Sequence, residues 1–310
     1  MWMADMCTWT GPWPMPGKRL NGIITRKIHI LLITYRYTMH WLFVSIAFFI
    51  TIETTAQGPA VSRLHLPATA GDFYGYRQYD FTFNERSCKI VEPKVAAKGL
   101  PWIWRARFWG HEPQTDTTLL GKGYHVVYCD VVELFGNPQA VAIWNRFYKQ
   151  MRKVGLAKKV VLEGMSRGGL YIYNWAAENP KKVACIYADA PVLDIRSWPG
   201  GLGKGPGARQ EWEACKKAWN LNTEEDISTF RGNPLDKVKK IVRGGYPLLH
   251  VCGEDDEVVP MAENTDLFEQ KILAHGGRIT VIRKRGVKHH PHSLKDPTLI
   301  VNFIEQHYRY

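Results

Sequence analysis

The segment KKVVLEGMSRGGL, residues 158–170, joins a short apolar run to a glycine-flanked serine and then to a helical pattern. Val160, Val161 and Leu162 have the bulk and branching of a buried strand. Leu170-Tyr-Ile-Tyr-Asn-Trp-Ala-Ala continues as a helix. Between them Gly164-Met-Ser-Arg-Gly168 has the pattern Gly-x-Ser-x-Gly. A serine forced into a tight strand-to-helix turn needs small neighbours, here Gly164 and Gly168, because larger ones clash. Such a turn lifts the Ser166 hydroxyl above the sheet. It also sets the Arg167 N–H at a helix N-terminus, where it can donate to an oxyanion. Gly169 lets the helix pack closely on the strands. The bare pentapeptide is common by chance, and a non-catalytic turn is the bland reading. The strand-turn-helix setting makes Ser166 a candidate nucleophile.

Outward from this turn, apolar runs alternate with amphipathic stretches. Strands are expected over 79–83, 88–91, 101–108, 125–130, 159–163, 184–188, 247–252 and 278–284. Helices are expected over 114–122, 139–154, 169–179, 210–218, 262–275 and 298–308. Short continuous apolar strands separated by helices imply an α/β fold, a mostly parallel sheet with helices on both faces. Two antiparallel strands before the alternation would cover one edge. Residues 194–234 break the rhythm with WPGGLGKGPG (198–207) and a short polar helix. That excursion is too long for a simple turn and reads as a lid insertion.

A serine nucleophile needs a base within hydrogen-bond reach and an acid to orient that base. In a strand-turn-helix serine hydrolase the chain order is Ser, acid, His. LLHVCGEDDEVVP (248–260) is a buried strand ending in Gly253, followed by four carboxylates and Pro260. Asp256 is the preferred acid. Asp255 and Glu257 read as solvated neighbours, and four exposed loop charges are the alternative. After the last strand comes KRGVKHHPHSLKDP (284–297). His289, three residues after Gly286, is the preferred base, with His290 and His292 as alternatives. A metal site is the rival reading of the three histidines, but no matching Cys/His/Asp group accompanies them, so no metal and no cofactor is expected. His250, inside an apolar strand, reads as a hydrogen-bonded core residue.

Together GMSRGG, GEDDEVVP and GVKHHPH resemble the α/β-hydrolase superfamily, in particular exported bacterial serine esterases that accompany polysaccharide degradation. The resemblance covers roughly residues 81–310 and implies the α/β-hydrolase fold with Ser166, Asp256 and His289 as triad. One departure stands out. The His-Gly oxyanion loop after the third strand is replaced by WIWRARFWGHE (102–112). The second oxyanion N–H is then expected near Phe108–Gly110, with Trp109 the choice beside Arg167.

Strand alternation puts Trp102, Trp104, Ala106 and Phe108 on one face and Ile103, Arg105, Arg107 and Trp109 on the other. Two arginines on a central strand are costly unless paired. An Arg–Asp network with Asp130 or Asp189 would pair them. The functional alternative is that Arg107 or Arg167 meets a substrate carboxylate, since guanidinium matches carboxylate bidentately. Trp109 and Trp198 are placed to stack on a sugar face or to pack in core and lid.

The 310 residues, 45% apolar and 23% charged, describe a globular chain. Its N-terminal part differs. Met1–Pro16 has no period, Lys18, Arg19, Arg26, Lys27 and Arg36 form a basic flank, and WLFVSIAFFITI (41–52) is too short to span a bilayer. With Glu53-Thr-Thr-Ala56 behind it, this reads as a leader and signal peptide over 1–56, with Met39 an alternative start and an uncleaved N-terminal anchor or a buried helix as the other readings of the apolar run. The single domain is then 57–310, with a secreted or periplasmic location and no stable membrane insertion after cleavage. The net charge of +12 has no nucleic-acid motif beside it, so no nucleic-acid partner is expected. A solvated surface or an anionic substrate accounts for it. Cys88, Cys129, Cys185, Cys215 and Cys252 show no Cys-x-x-Cys pair and choose no disulfide. The expected function is hydrolysis of a carboxylic ester, an acetyl or methyl ester on a carbohydrate or another small ester, through an acyl-enzyme. A peptidase or other acyl hydrolase, or a non-catalytic relative that binds ligand, is the alternative.

Overall fold

The computed structural model describes residues 60–308. The leader, the apolar run 41–52 and Met39 lie outside them. Three strands come first, β1 (Ala68–Phe73), β2 (Tyr76–Phe83) and β3 (Arg86–Glu92). Then follow β4 (Trp102–Ala106), α1 (Gln114–Gly121), β5 (His125–Cys129), α2 (Pro138–Lys153), β6 (Val160–Met165), α3 (Gly168–Glu178) and β7 (Val183–Asp189). The insertion carries α4 (Arg209–Trp219) and α5 (Glu224–Thr229). The chain returns through α6 (Val238–Gly244), β8 (Leu248–Gly253), α7 (Thr265–Ala274), β9 (Ile279–Lys284) and α8 (Thr298–His307).

Among the described residues nine strands form one sheet in the order β1-β2-β3-β5-β4-β6-β7-β8-β9. The ladders from β1 to β5 are antiparallel, and all those from β5 through β9 are parallel. This is the α/β-hydrolase fold. Three antiparallel strands stand at the edge where two were expected. β1 (ATAGDF) escaped notice because its first five residues are exposed and only Phe73 is buried, so it has no apolar period. The insertion holds two helices, the second of them capped reciprocally by Thr223 and Asp226. α6 was also unforeseen.

β4 is buried along its whole length and lies between β5 and β6. The alternation reads as expected. Trp102 and Trp104 enter one core with Trp144, Phe147 and Trp175, while Ile103 faces the other core with Val126 and Val161. Trp104 stacks on Trp144 at 4.2 Å between ring centroids, and each such side chain contributes about 1.5–3 kcal/mol by burial. The strand stops at Ala106, two residues earlier than the pattern suggests, because Arg107 (φ 64°) and Phe108 (φ 48°) turn left-handed. After β4 the winding goes first to β5 and then reverses to β6. The carboxyl ends of β4 and β6 therefore meet at a topological switch point, where α/β sheets open a crevice.

Candidate active site

Ser166 follows β6 directly and holds φ 48°, a left-handed conformation that costs a non-glycine residue on the order of 1–2 kcal/mol. Its surroundings impose it. The Ser166 N–H donates to the Asp189 carbonyl at the end of β7 (2.8 Å), and the Ser166 carbonyl accepts from Gly169 and Val192. A Cβ at Gly164 would lie 2.8 Å from the Gly168 backbone, and one at Gly169 would lie 2.7 Å from Pro191. α3 then runs back, buried from Gly168 through Ala177. The turn thus sets Arg167 N–H at a helix start beside the hydroxyl.

The two other predicted partners arrive from the carboxyl ends of β8 and β9. Asp256 lies in the turn after β8. Its Oδ1 accepts from the N–H groups of Val258 and Val259 (2.9 and 2.8 Å), which leaves Oδ2 for His289 Nδ1 at 2.7 Å. His289 Nε2 stands 3.0 Å from Ser166 Oγ. All three side chains are buried. Gly253 is required where it is because the Val287 and Lys288 carbonyls occupy the space a Cβ would take. That close approach brings the histidine segment over the acid turn. Asp255 and Glu257 are not drawn in; Glu257 pairs with Lys288 at the surface.

The neighbouring histidines have separate surroundings. His292 Nδ1 bonds the Asp189 carboxylate at 2.7 Å, and the same carboxylate accepts from Tyr187 Oη and Ser293 N–H. His290 is exposed, and its imidazole is pulled below the usual range by partial burial and the rings of His292, His289 and His111. His250 is the core residue expected, bonded to Tyr173 and Thr265, with burial pulling it down to about 3.

Arg105 corrects the expected pairing with Asp130 or Asp189. Its guanidinium, fully buried, pairs instead with Asp116 of α1 and Glu163 of β6. Burial, with Asp116 beside it, pushes the Glu163 carboxyl well above the carboxylate range. The other Arg105 donors reach the carbonyls of Phe108 (3.2 Å, from Nε) and His111. Arg105 therefore clamps the left-handed loop that follows β4. This positioning role was not legible, because α1 supplies the deciding acid. Asp130 accepts from Tyr128 Oη and Val132 N–H.

Ala106 is the register partner of Gly164, so the 107–110 loop abuts the nucleophile turn. The Trp109 ring packs on Phe73 and Tyr128, and its Nε1 donates to Gln78, so the ring is held in packing rather than presented to a ligand. Arg167, 4% exposed, pairs with Glu211 of α4, and its guanidinium lies 4.9 Å from the Phe135 ring and 5.6 Å from Trp198. The insertion thus reaches the turn through Glu211 and Trp198. Arg107 is half-buried and, among the described residues, forms no ion pair.

Among known proteins, the model of the prolyl oligopeptidase family matches residues 140–310. No curated protein sequence matches the chain. Solved structures that resemble it include an S-formylglutathione hydrolase from Agrobacterium tumefaciens. It has 14% identity, 77% of this chain and 95% of that one covered, and TM-score 0.55. An acylaminoacyl peptidase from Pyrococcus horikoshii matches at 15% identity over 74% of this chain and 41% of that one, with TM-score 0.57. Dipeptidyl peptidase 4 from Porphyromonas gingivalis matches at 14% identity over 78% and 36%, with TM-score 0.56. The chain thus spans 36–41% of the length of these peptidases. At such identities the likeness is one of fold.

Proposed function

The chain belongs to the prolyl oligopeptidase family, and from that premise we propose that it is a serine hydrolase opening a peptide-type acyl bond through an acyl-enzyme on Ser166. The observation that carries this is the unbroken hydrogen-bond path from Asp256 through His289 to Ser166 Oγ. Ser166 Oγ attacks the carbonyl carbon as His289 Nε2 takes its proton, and Asp256 holds the imidazolium that forms. The N–H groups of Arg167 and of the loop at Trp109 receive the developing oxyanion. His289 then returns the proton to the leaving group, and water repeats the cycle on the acyl-enzyme.

Family membership supports the peptide bond as the target. A second reading keeps the ester of a carbohydrate or other small molecule. It is supported by the likeness of fold to the S-formylglutathione hydrolase, 95% of which is covered. The test is fluorophosphonate labelling, lost in Ser166→Ala, followed by kcat/KM on short peptide anilides and on acetylated or methyl-esterified glycans. Turnover of anilides supports the first reading. Turnover of glycan esters alone would replace it with the second, and no labelling would favour a ligand-binding relative. Export is part of the proposal, with residues 1–56 removed. Exported material should begin near Gln57, and an intact mass retaining 1–56 would refute cleavage.

A further inference from the structure

Two guanidinium groups belong to residues beside the nucleophile turn. Arg167 follows Ser166 directly, and Arg107 follows Ala106, whose register partner is Gly164. They are close enough that Arg167 is a leading cause, after burial, of a lowered pKa at Arg107. Two acids stand near them: Glu211, whose bond goes to Arg167, and Asp130, which lines the Arg107 cleft and is taken by Tyr128 Oη and the Val132 N–H. Arg107 lies in a cleft with Tyr128, Val132 and Tyr171, whose hydroxyls are already committed, Tyr128 to Asp130 and Tyr171 to the Val132 carbonyl. The Nε atoms of both arginines are buried without a partner, and Arg167 itself is 4% exposed. A half-buried guanidinium next to a second, buried one, with a donor unused, is favoured by an anion that joins it.

We infer that this cleft takes a substrate carrying a carboxylate within a few bonds of the scissile carbonyl, with Arg107 as its direct partner. The planar guanidinium fork matches a carboxylate. Arg167, fixed by Glu211 and flanked by Phe135 and Trp198, supplies field rather than a free fork. The left-handed backbone at Arg107 turns its side chain out of the sheet and into this cleft. The inference rests on Ser166 being the nucleophile, and it narrows the substrate to anionic acyl compounds.

The test compares the 4-nitrophenyl monoester of glutaric acid with 4-nitrophenyl pentanoate, equal in chain length and different in charge. Wild-type kcat/KM should favour the anionic ester by about tenfold or more, and Arg107→Met should lower that ratio by roughly ten- to hundredfold. Arg107→Lys should restore part of it. A wild-type ratio near one, or a ratio unchanged by Arg107→Met, would overturn the inference. Titration calorimetry of monomethyl glutarate into Ser166→Ala, with and without Arg107→Met, reads the same site without turnover. Binding that depends on Arg107 in a protein that no fluorophosphonate labels would uphold the anion site and sink the hydrolase reading. Labelling with no such binding would do the reverse.

Discussion

His289, His290 and His292 lie within four residues, yet each is committed to a different task by what it touches. His289 spans Ser166 and Asp256, His292 is hydrogen-bonded to the buried Asp189, and His290 faces solvent. His289→Ala should therefore match Ser166→Ala, with a loss of several orders of magnitude in kcat and little loss of stability, because triad members act as a unit. His292→Ala should do the opposite. Leaving the Asp189 carboxylate one bond short in the interior costs about 1–3 kcal/mol, while activity per folded molecule falls much less. His290→Ala should be near wild type in both. Activity and urea unfolding measured on the three variants decide it, and a dead His290→Ala would move the base by one residue.

The antiparallel edge makes a prediction at the level of single elements. Cys88 of β3 and Cys129 of β5 are direct register partners, both buried. The next pair, Ser87 and Asp130, is joined by an N–H to carbonyl bond of 2.9 Å, so the cysteines occupy a non-hydrogen-bonded position. There the Cα atoms stand about 4.5 Å apart, inside the range a disulfide accepts. The bond from Cys88 and burial push the Cys129 thiol well up, which keeps it unreactive in the folded state. A disulfide-exchange oxidant such as oxidised glutathione, applied under mildly destabilising conditions, should join Cys88 to Cys129 and no other pair. Peptide mapping that shows Cys185, Cys215 or Cys252 linked instead would refute the register argument. The glycine turns act at this scale too. Gly169→Ala should push α3 off Pro191 and lower both stability and labelling of Ser166, since the same helix start carries the Arg167 N–H.

For the molecule as a whole, buried charge and buried imidazole set the response to mutation and to pH. Arg105 joins β4, β6, α1 and the loop to His111, so Arg105→Met strands two carboxyl groups in the sheet. The expected cost is about 3–5 kcal/mol, with a fall in kcat because the Phe108 and His111 carbonyls lose their donor. A loss under about 1 kcal/mol in urea unfolding would contradict this account. The pH response follows from His125, which burial pulls down to about 4, and His250, pulled down to about 3. In the unfolded chain both titrate near 6.5. Below that pH the unfolded state binds protons that the folded state refuses. Stability is therefore full above about pH 6.5 and falls on acidification toward the folded values, by up to about 1.4 kcal/mol per unit for each histidine. Unfolding free energies at pH 7 and pH 5 should show it, and His125→Asn should reduce the slope by about one proton.

Eight of the nine strands and the three residues now joined by hydrogen bonds were legible along the chain, because each depends on local pattern. Val160–Leu162 announces a buried strand, Gly164 and Gly168 announce a tight turn, and Asp256 and His289 each stand just past a strand end. In a parallel sheet all strand ends of one sense share an edge, so residues far apart in sequence are delivered to one place by local signals alone. β1 carried no such signal, being exposed along most of its length. The partners of the arginines were beyond local reading as well. Whether Arg105 meets Asp116 or Asp130, and whether Arg107 lies beside Arg167, depends on β4 being inserted between β5 and β6. The same holds for the separation of His292 from His289, which the end of β7 decides through Asp189. Sequence periodicity determines which residues form a strand and which face is apolar. Strand order, the sum of many long-range contacts, decides which charged groups meet across the finished sheet.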